Sequence, residues 1–284
     1  MGSPTVLLVG CGDVGGRLAQ ALLAAGWLVH GLRRDTTRLP AGVVPVPADL
    51  ASPAMPAAWP EGPLDYVVYC VAASQHDEAG YRQAYVEGLR HTLSWLVQAG
   101  QQPRRFVFVS SSGVYAQAAG EWVDEQSPTE PSGYSGKIML EAEALAHTGT
   151  APATVVRLSG IYGPGRARLL NQVRQGFAVS EMPPVYANRI HADDAAGLIA
   201  FLLQADAQGK AVEDCYLGVD DAPVALAEVV AWLRQRMGVT HTSGEQSIRR
   251  TGSKRCSNAR ARALGWVPRY RSYQDGYAEL LTLE

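Results

Sequence analysis

Two short stretches carry residues able to pass a proton to and from an alcohol oxygen. The first, Val109-Ser110-Ser111-Ser112-Gly113-Val114-Tyr115, closes an apolar run that begins at Arg105. The second, Gly133-Tyr134-Ser135-Gly136-Lys137, opens a helical stretch whose face includes Glu141. A tyrosine beside a lysine ammonium has its phenolate favoured, because the opposite charge stabilises the ionised form. Such a phenol can exchange a proton with a substrate hydroxyl while a serine hydroxyl holds the same oxygen. Ser111, Tyr134 and Lys137 are therefore the expected catalytic set, suited to alcohol–carbonyl interconversion. The alternative is a serine-rich loop and a helix start in which Tyr and Lys fall by chance.

That chemistry needs a redox partner, and the N-terminus offers a place for one. The apolar run Val6-Leu7-Leu8-Val9 enters Gly10-Cys11-Gly12-Asp13-Val14-Gly15, and a helical stretch over Arg17 to Ala25 follows. In a G-x-G-x-x-G turn the first glycine makes the tight turn, the second removes a side chain that would meet a pyrophosphate, and the third lets helix and sheet approach. The helix N-terminus adds free N–H groups and a favourable dipole. Gly10, Gly12, Asp13, Val14 and Gly15 are thus expected to hold a dinucleotide; a turn that merely closes a strand–helix unit is the alternative. The second strand, Leu28 to Leu32, ends at Arg33-Arg34, where NAD-preferring folds place an acid for the ribose hydroxyls. Two guanidiniums there suit a 2′-phosphate, so NADP(H) is expected over NAD(H); Asp35 follows one or two positions late, and a basic surface corner is the bland reading. After the run Val43 to Ala48, Asp49-Leu50 marks the third strand end, where Asp49 would meet the adenine amino group or cap the next turn.

The rest of the chain has the rhythm of a doubly wound α/β fold. Strands are expected at Leu64–Ala72, Arg105–Ser110, Ala153–Leu158 and Tyr216–Val219, and helices at Arg82–Ala99, Ser135–Thr148, Ala192–Leu203, Val224–Met237 and Tyr273–Leu283. Continuous apolar strands imply a parallel sheet covered on both faces. Residues 1–160 should form the Rossmann-type core, and 161–284 a mixed segment that completes it and adds a small substrate lobe. The stretch Thr240 to Gly252 looks mobile. A net charge of -2 without a basic tract gives no reason to expect nucleic acid or an anionic membrane. Four scattered cysteines suggest no metal site. No apolar run is long enough for a bilayer span, and the strand at the N-terminus leaves no room for a signal peptide, so a cytoplasmic location is expected.

Larger blocks reinforce this. VSSSGVYA from Val109, Glu121-Trp122-Val123-Asp124-Glu125, LEAEALA from Leu140, VVRLSGIYGPGR from Val155, RIHADDAAG from Arg189 and KRCSNARARALGWVPRY from Lys254 follow the glycine turn in order. Nearly end to end, the chain resembles an atypical or extended short-chain dehydrogenase/reductase of the NAD(P)-dependent epimerase/dehydratase superfamily, and within it the small YeeZ-like subgroup. The resemblance implies that Ser111 bonds the substrate oxygen, that Tyr134 is the acid/base, and that Lys137 tunes it and orients the nicotinamide ribose. It also implies a homodimer. Three departures stand out. Tyr134 and Lys137 are three apart where the family has four. Tyr85 occupies the position of the usual asparagine. Ser112-Gly113 replace the Asp-Glu pair of 4,6-dehydratases, which disfavours sugar 4,6-dehydration. Gln75, His76, Tyr162 and Arg189 are the candidate contacts to a small-molecule substrate. Asp193 or Asp194 is expected to cap the helix that follows His191, and Arg166 would hold an anion or pair on the surface. Two functions remain: an NADP(H)-dependent oxidoreductase or epimerase, or a catalytically weak NAD(P)-binding sensor or partner-binding protein.

Overall fold

A computed structural model describes residues 2–243 and 252–282. The elements are β1 Thr5–Val9, α1 Asp13–Ala24, β2 Leu28–Arg33, β3 Val44–Pro47, β4 Tyr66–Tyr69, α2 Glu78–Arg82, α3 Gly88–Gln98, β5 Arg105–Ser111, β6 Glu121–Val123 and α4 Tyr134–Ala146. They continue as β7 Ala153–Leu158, β8 Gly160–Tyr162, α5 Arg168–Arg174, β9 Tyr186–Ala187, β10 Arg189–His191, α6 Ala192–Ala207, β11 Cys215–Gly218, β12 Val224–Ala225, α7 Leu226–Met237, β13 Lys254–Cys256, α8 Ala259–Leu264 and α9 Tyr273–Thr282. A π-helical turn, Gln83–Glu87, joins α2 to α3. The segment expected to be mobile lies partly outside the described residues, since 244–251 are not among them.

One seven-stranded sheet runs β11-β7-β5-β4-β1-β2-β3. Its β1–β2, β1–β4, β2–β3 and β4–β5 pairs are parallel. The chain steps from β1 outward to β3, then returns to the other side of β1 with β4. That reversal creates the crevice at the strand ends where such sheets take their ligands. Strands β4, β7 and β11 are buried at every position, as uninterrupted apolar runs between helical layers must be.

The chain divides into two compact units. The first holds Met1–Val114, Pro131–Arg157 and Ala196–Tyr216; the second holds Tyr115–Glu130, Leu158–Ala195 and Leu217–Glu284. Relative to a division at 160/161, 115–130 and 158–160 join the second unit, and 196–216 returns to the first. The second unit carries three two-stranded pairings, β10–β8 and β13–β6 parallel and β12–β9 antiparallel. Its core gathers Leu170, Val173, Phe177, Val229 and Leu233 with Tyr162 and Tyr277. Strands as short as β6, β8, β9, β10, β12 and β13 have too few residues for a periodicity to register in sequence.

One buried and one half-buried ion network tie the first unit together. Arg157 of β7 donates to Glu143 of α4 through Nε (3.0 Å) and Nη2 (2.6 Å), and Ser110 of β5 donates to the same carboxylate at 2.5 Å. Arg105 of β5 donates to Asp206 of α6 at 2.8 Å, and Tyr66 of β4 donates to its other oxygen at 2.9 Å. Helix amphipathicity alone leaves a helix free to slide along a sheet; these contacts fix α4 and α6 in register.

Candidate functional site

The glycine turn shows why each glycine stands where it does. Gly10 has φ +86°, and a Cβ on it would lie 2.7 Å from the carbonyl oxygen of Cys70 at the end of β4. A Cβ on Gly15 would lie 2.7 Å from the carbonyl oxygen of Gly10. Gly12 differs: its Cβ would meet nothing nearer than 4.0 Å. Gly10 and Gly15 are therefore required by packing, whereas Gly12 keeps a space clear. Gly12 also N-caps α1 without any side-chain cap bond, so the first-turn N–H groups face that space. Asp13 is exposed and its carboxylate accepts from Arg17 Nε at 2.9 Å, while Val14 is buried against the sheet. An open cradle beneath uncapped helix N–H groups fits a dinucleotide pyrophosphate.

The ends of β2 and β3 flank the turn. Arg33 folds back to donate from Nη1 to the carbonyl of Cys11 at 2.9 Å, and Arg34 is exposed. Burial pushes the Cys11 thiol up to about 11, against the opposing pull of Arg33, so it is a packed thiol rather than a thiolate. Asp35 caps the short turn Thr36–Arg38, accepting from the Thr37 amide and hydroxyl. Those hydrogen bonds hold its carboxyl below the usual range, with Arg38 adding to them. Of the two readings for Asp49, the turn is realised: its carboxylate accepts from the amide of Ala51 at 3.0 Å. Leu50 offers its carbonyl to His91 Nδ1–H at 2.8 Å.

Tyr134 is the first residue of α4, so it and Lys137 share one helix. A spacing of three places them about 60° apart around the axis, on one face. The Tyr134 hydroxyl donates to the carbonyl of His76 at 2.6 Å. Its ring stands edge-on to Tyr81 at 5.6 Å, and Tyr81 in turn lies 5.3 Å from Tyr85. Ser111 ends β5, and its hydroxyl accepts from the Gly113 amide at 3.1 Å. Gly136 brings the two stretches together, because a Cβ there would stand 2.8 Å from the Gly113 carbonyl oxygen. Lys137, Gln75 and His76 are exposed. The first unit holds Ser111, Tyr134, Lys137, Gln75 and His76, and within it Tyr134 meets His76.

Tyr162 and Arg189 lie in the second unit and are packed inside it. Tyr162 is 4 % exposed, stacks on Tyr277 at 4.6 Å and donates to the Ser272 carbonyl at 3.4 Å. Arg189 is buried and donates to the Ala187 carbonyl at 3.0 Å. The expected capping role of Asp194 is corrected: its carboxylate accepts from the amides of Arg269 and Tyr270, pinning the approach to α9. Arg166 is exposed.

Sequence reasoning passed over Asp220. It is 2 % exposed, accepts from the Ala222 amide through Oδ1, and leaves Oδ2 without a partner. Burial pushes its carboxyl up to about 7, with Arg189 pulling the other way and Asp221 and Asp194 adding to the rise. The folded pKa lies above the unfolded one, so the group costs stability as pH rises from about 4 to about 7. Asp220→Asn should therefore be more stable than the parent above pH 7, by on the order of 2–4 kcal/mol. The gain should vanish near pH 4, as denaturant midpoints across that range will show; a pH-independent difference would refute this.

The sequence profile of the NAD dependent epimerase/dehydratase family matches residues 6–218. The chain belongs to that family. Protein YeeZ of Escherichia coli (strain K12) is 29 % identical to this family member over 224 residues, which span 74 % of this chain and 77 % of YeeZ. A solved Methylobacillus flagellatus protein assigned to the NAD-dependent epimerase/dehydratases is 38 % identical, covers 99 % of this chain and 98 % of its own, and superposes with a TM-score of 0.81. The UDP-glucose 4-epimerase of Thermus thermophilus, solved in complex with NAD, shares the fold at 20 % identity, a TM-score of 0.76 and 96 % coverage of each chain. Among the described residues no group of three His, Cys, Asp or Glu could hold a metal ion, and no helix is long and apolar enough to cross a membrane.

Proposed function

We propose that the chain is an NADP(H)-dependent oxidoreductase or epimerase acting on a small hydroxyl or carbonyl compound. The observation that carries this reading is the glycine turn, in which Gly12 alone faces open space while its neighbours are closed by packing. A nicotinamide dinucleotide supplies hydride transfer when bound. Gly12 and the α1 N-terminus would receive its pyrophosphate, and Arg33 and Arg34 its 2′-phosphate. Arg34 is the freer of the two, since Arg33 already serves the Cys11 carbonyl. Ser111 would hold the substrate oxygen. Tyr134 would give that oxygen the proton it now lends to the His76 carbonyl, with Lys137 on the same face of α4. A homodimer belongs to the same reading and rests on the family resemblance.

Calorimetric titration tests it. NADPH should bind in the micromolar range and NADH at least tenfold more weakly. Arg34→Ala should bring the two together by weakening NADPH alone. Gly12→Val should remove both while lowering the unfolding midpoint far less than Gly10→Val or Gly15→Val. Equal affinity for NADPH and NADH in the parent would withdraw the NADP assignment. Binding of neither would withdraw the cofactor itself.

A second reading, an NAD(P)-binding sensor without robust turnover, draws on one observation. The Tyr134 hydroxyl is committed to a main-chain carbonyl, and a protein that never releases it would bind dinucleotide without reacting.

A further inference from the structure

The helical run from Glu78 to Gln98 is interrupted by the π turn, and two contacts build that interruption. A π turn widens the helix by one residue and leaves a carbonyl without its usual partner. Here Ala84 gives its carbonyl to the hydroxyl of Tyr69, a fully buried residue of β4, at 2.5 Å. Gly88 then closes the turn, and a Cβ on it would stand 2.7 Å from that same hydroxyl. Any other residue would push Tyr69 away and release the carbonyl. Single added turns of this kind recur at functional sites.

The residue at the middle of the turn is Tyr85. Its oxygen accepts from the amide of Ala73 at 3.4 Å. Ala73 lies three residues beyond Cys70, whose carbonyl closes on Gly10 and whose amide donates to Val9 at 2.8 Å. The segment Tyr85 holds is thus continuous with the strand end that shapes the glycine turn. Burial pushes the phenol above its ordinary value, so it stays protonated. Having accepted from Ala73, its O–H donates to no protein acceptor among the described residues. The phenol is only half-buried and adjoins Tyr81, which meets Tyr134 edge-on.

We infer that Tyr85 is a positioning residue for the bound dinucleotide: its oxygen fixes the segment after β4, and its unspent O–H donates to an oxygen of the cofactor. Tyr69 and Gly88 aim it. The inference rests on the cofactor reading above.

Tyr85→Phe keeps the ring and removes only the oxygen. Calorimetry with NADPH should show about a five- to tenfold weaker Kd, the size expected for one hydrogen bond to a ligand. The apo unfolding midpoint should stay close to the parent, while the rise in midpoint at saturating NADPH shrinks. A lowered apo midpoint with an undiminished NADPH-induced rise would mean a structural role only and overturn the inference. Parent and variant binding NADPH equally would overturn it too, leaving the cofactor reading intact. A parent that binds neither NADPH nor NADH overturns both. Should the variant not fold, amide exchange at Ala73 in the parent decides: added protection with NADPH supports the inference, and unchanged protection ends it.

Discussion

Glu143→Ala should cost about 3–5 kcal/mol of stability and abolish turnover with it. Glu143 is 6 % exposed and Arg157 8 %, so neither charge has bulk water to fall back on. Removing the carboxylate leaves the Arg157 guanidinium buried and unpaired, and strips Ser110 of the acceptor it holds at 2.5 Å. The network also joins β5, α4 and β7 at the level of Ser111, so its loss should let α4 shift and carry Tyr134 with it. Chemical denaturation would read the loss directly. The double variant Glu143→Leu/Arg157→Met separates charge from packing, because an apolar pair in place of a buried ion pair is often neutral or stabilising. It should recover most of the stability. A double variant as unstable as Glu143→Ala would show that shape rather than charge governs the site.

Tyr134→Phe should lower kcat by at least about a hundredfold, the usual contribution of a positioned acid/base, with dinucleotide affinity unchanged. The phenol stands on the same helical face as Lys137 and is half-exposed. Its one hydrogen-bond partner among the described residues is the His76 carbonyl, an acceptor that a substrate oxygen can replace. Phenylalanine fills the same space against Tyr81 and keeps the edge-on ring contact. Steady-state kinetics with a screened carbonyl substrate and NADPH would measure the effect. Undiminished turnover in the variant would sink the acid/base role of Tyr134. A parent inactive across the screen while binding NADPH would favour the sensor reading instead.

Much of this was legible in residue types and spacing. Gly10, Gly12 and Gly15 follow a strand and precede a helix, and the structure gives each a distinct reason to lack a side chain. The strands β4, β5 and β7 announced themselves as unbroken apolar runs, which only a two-sided helical cover can bury. The three-residue spacing of Tyr134 and Lys137 looked awkward as a string. In the structure α4 begins at Tyr134 itself, one residue earlier than the pattern suggested, so the departure from a spacing of four stands and the two side chains lie about 60° apart on one helix. Helix starts depend on which backbone N–H groups find partners, and sequence reports that poorly.

Other features depend on contacts between residues far apart in the chain. Arg82–Ala99 reads as one amphipathic helix; Gly88 inside it was the sole hint of a disturbance. The π turn exists because a tyrosine from β4, fifteen residues earlier, claims the Ala84 carbonyl. Asp194 has the position of a helix cap, yet Arg269 and Tyr270 take its carboxylate across about seventy-five residues of chain. Asp220 and Glu143 look like ordinary surface acids until burial decides one is costly and the other paired. Sequence by itself determined the sheet and the glycine turn, since those follow from local period and glycine placement. Tertiary structure alone decided which polar groups are buried, which are satisfied, and which way Tyr85 and Tyr134 point, because burial and partnership are properties of neighbours that the chain brings together only on folding.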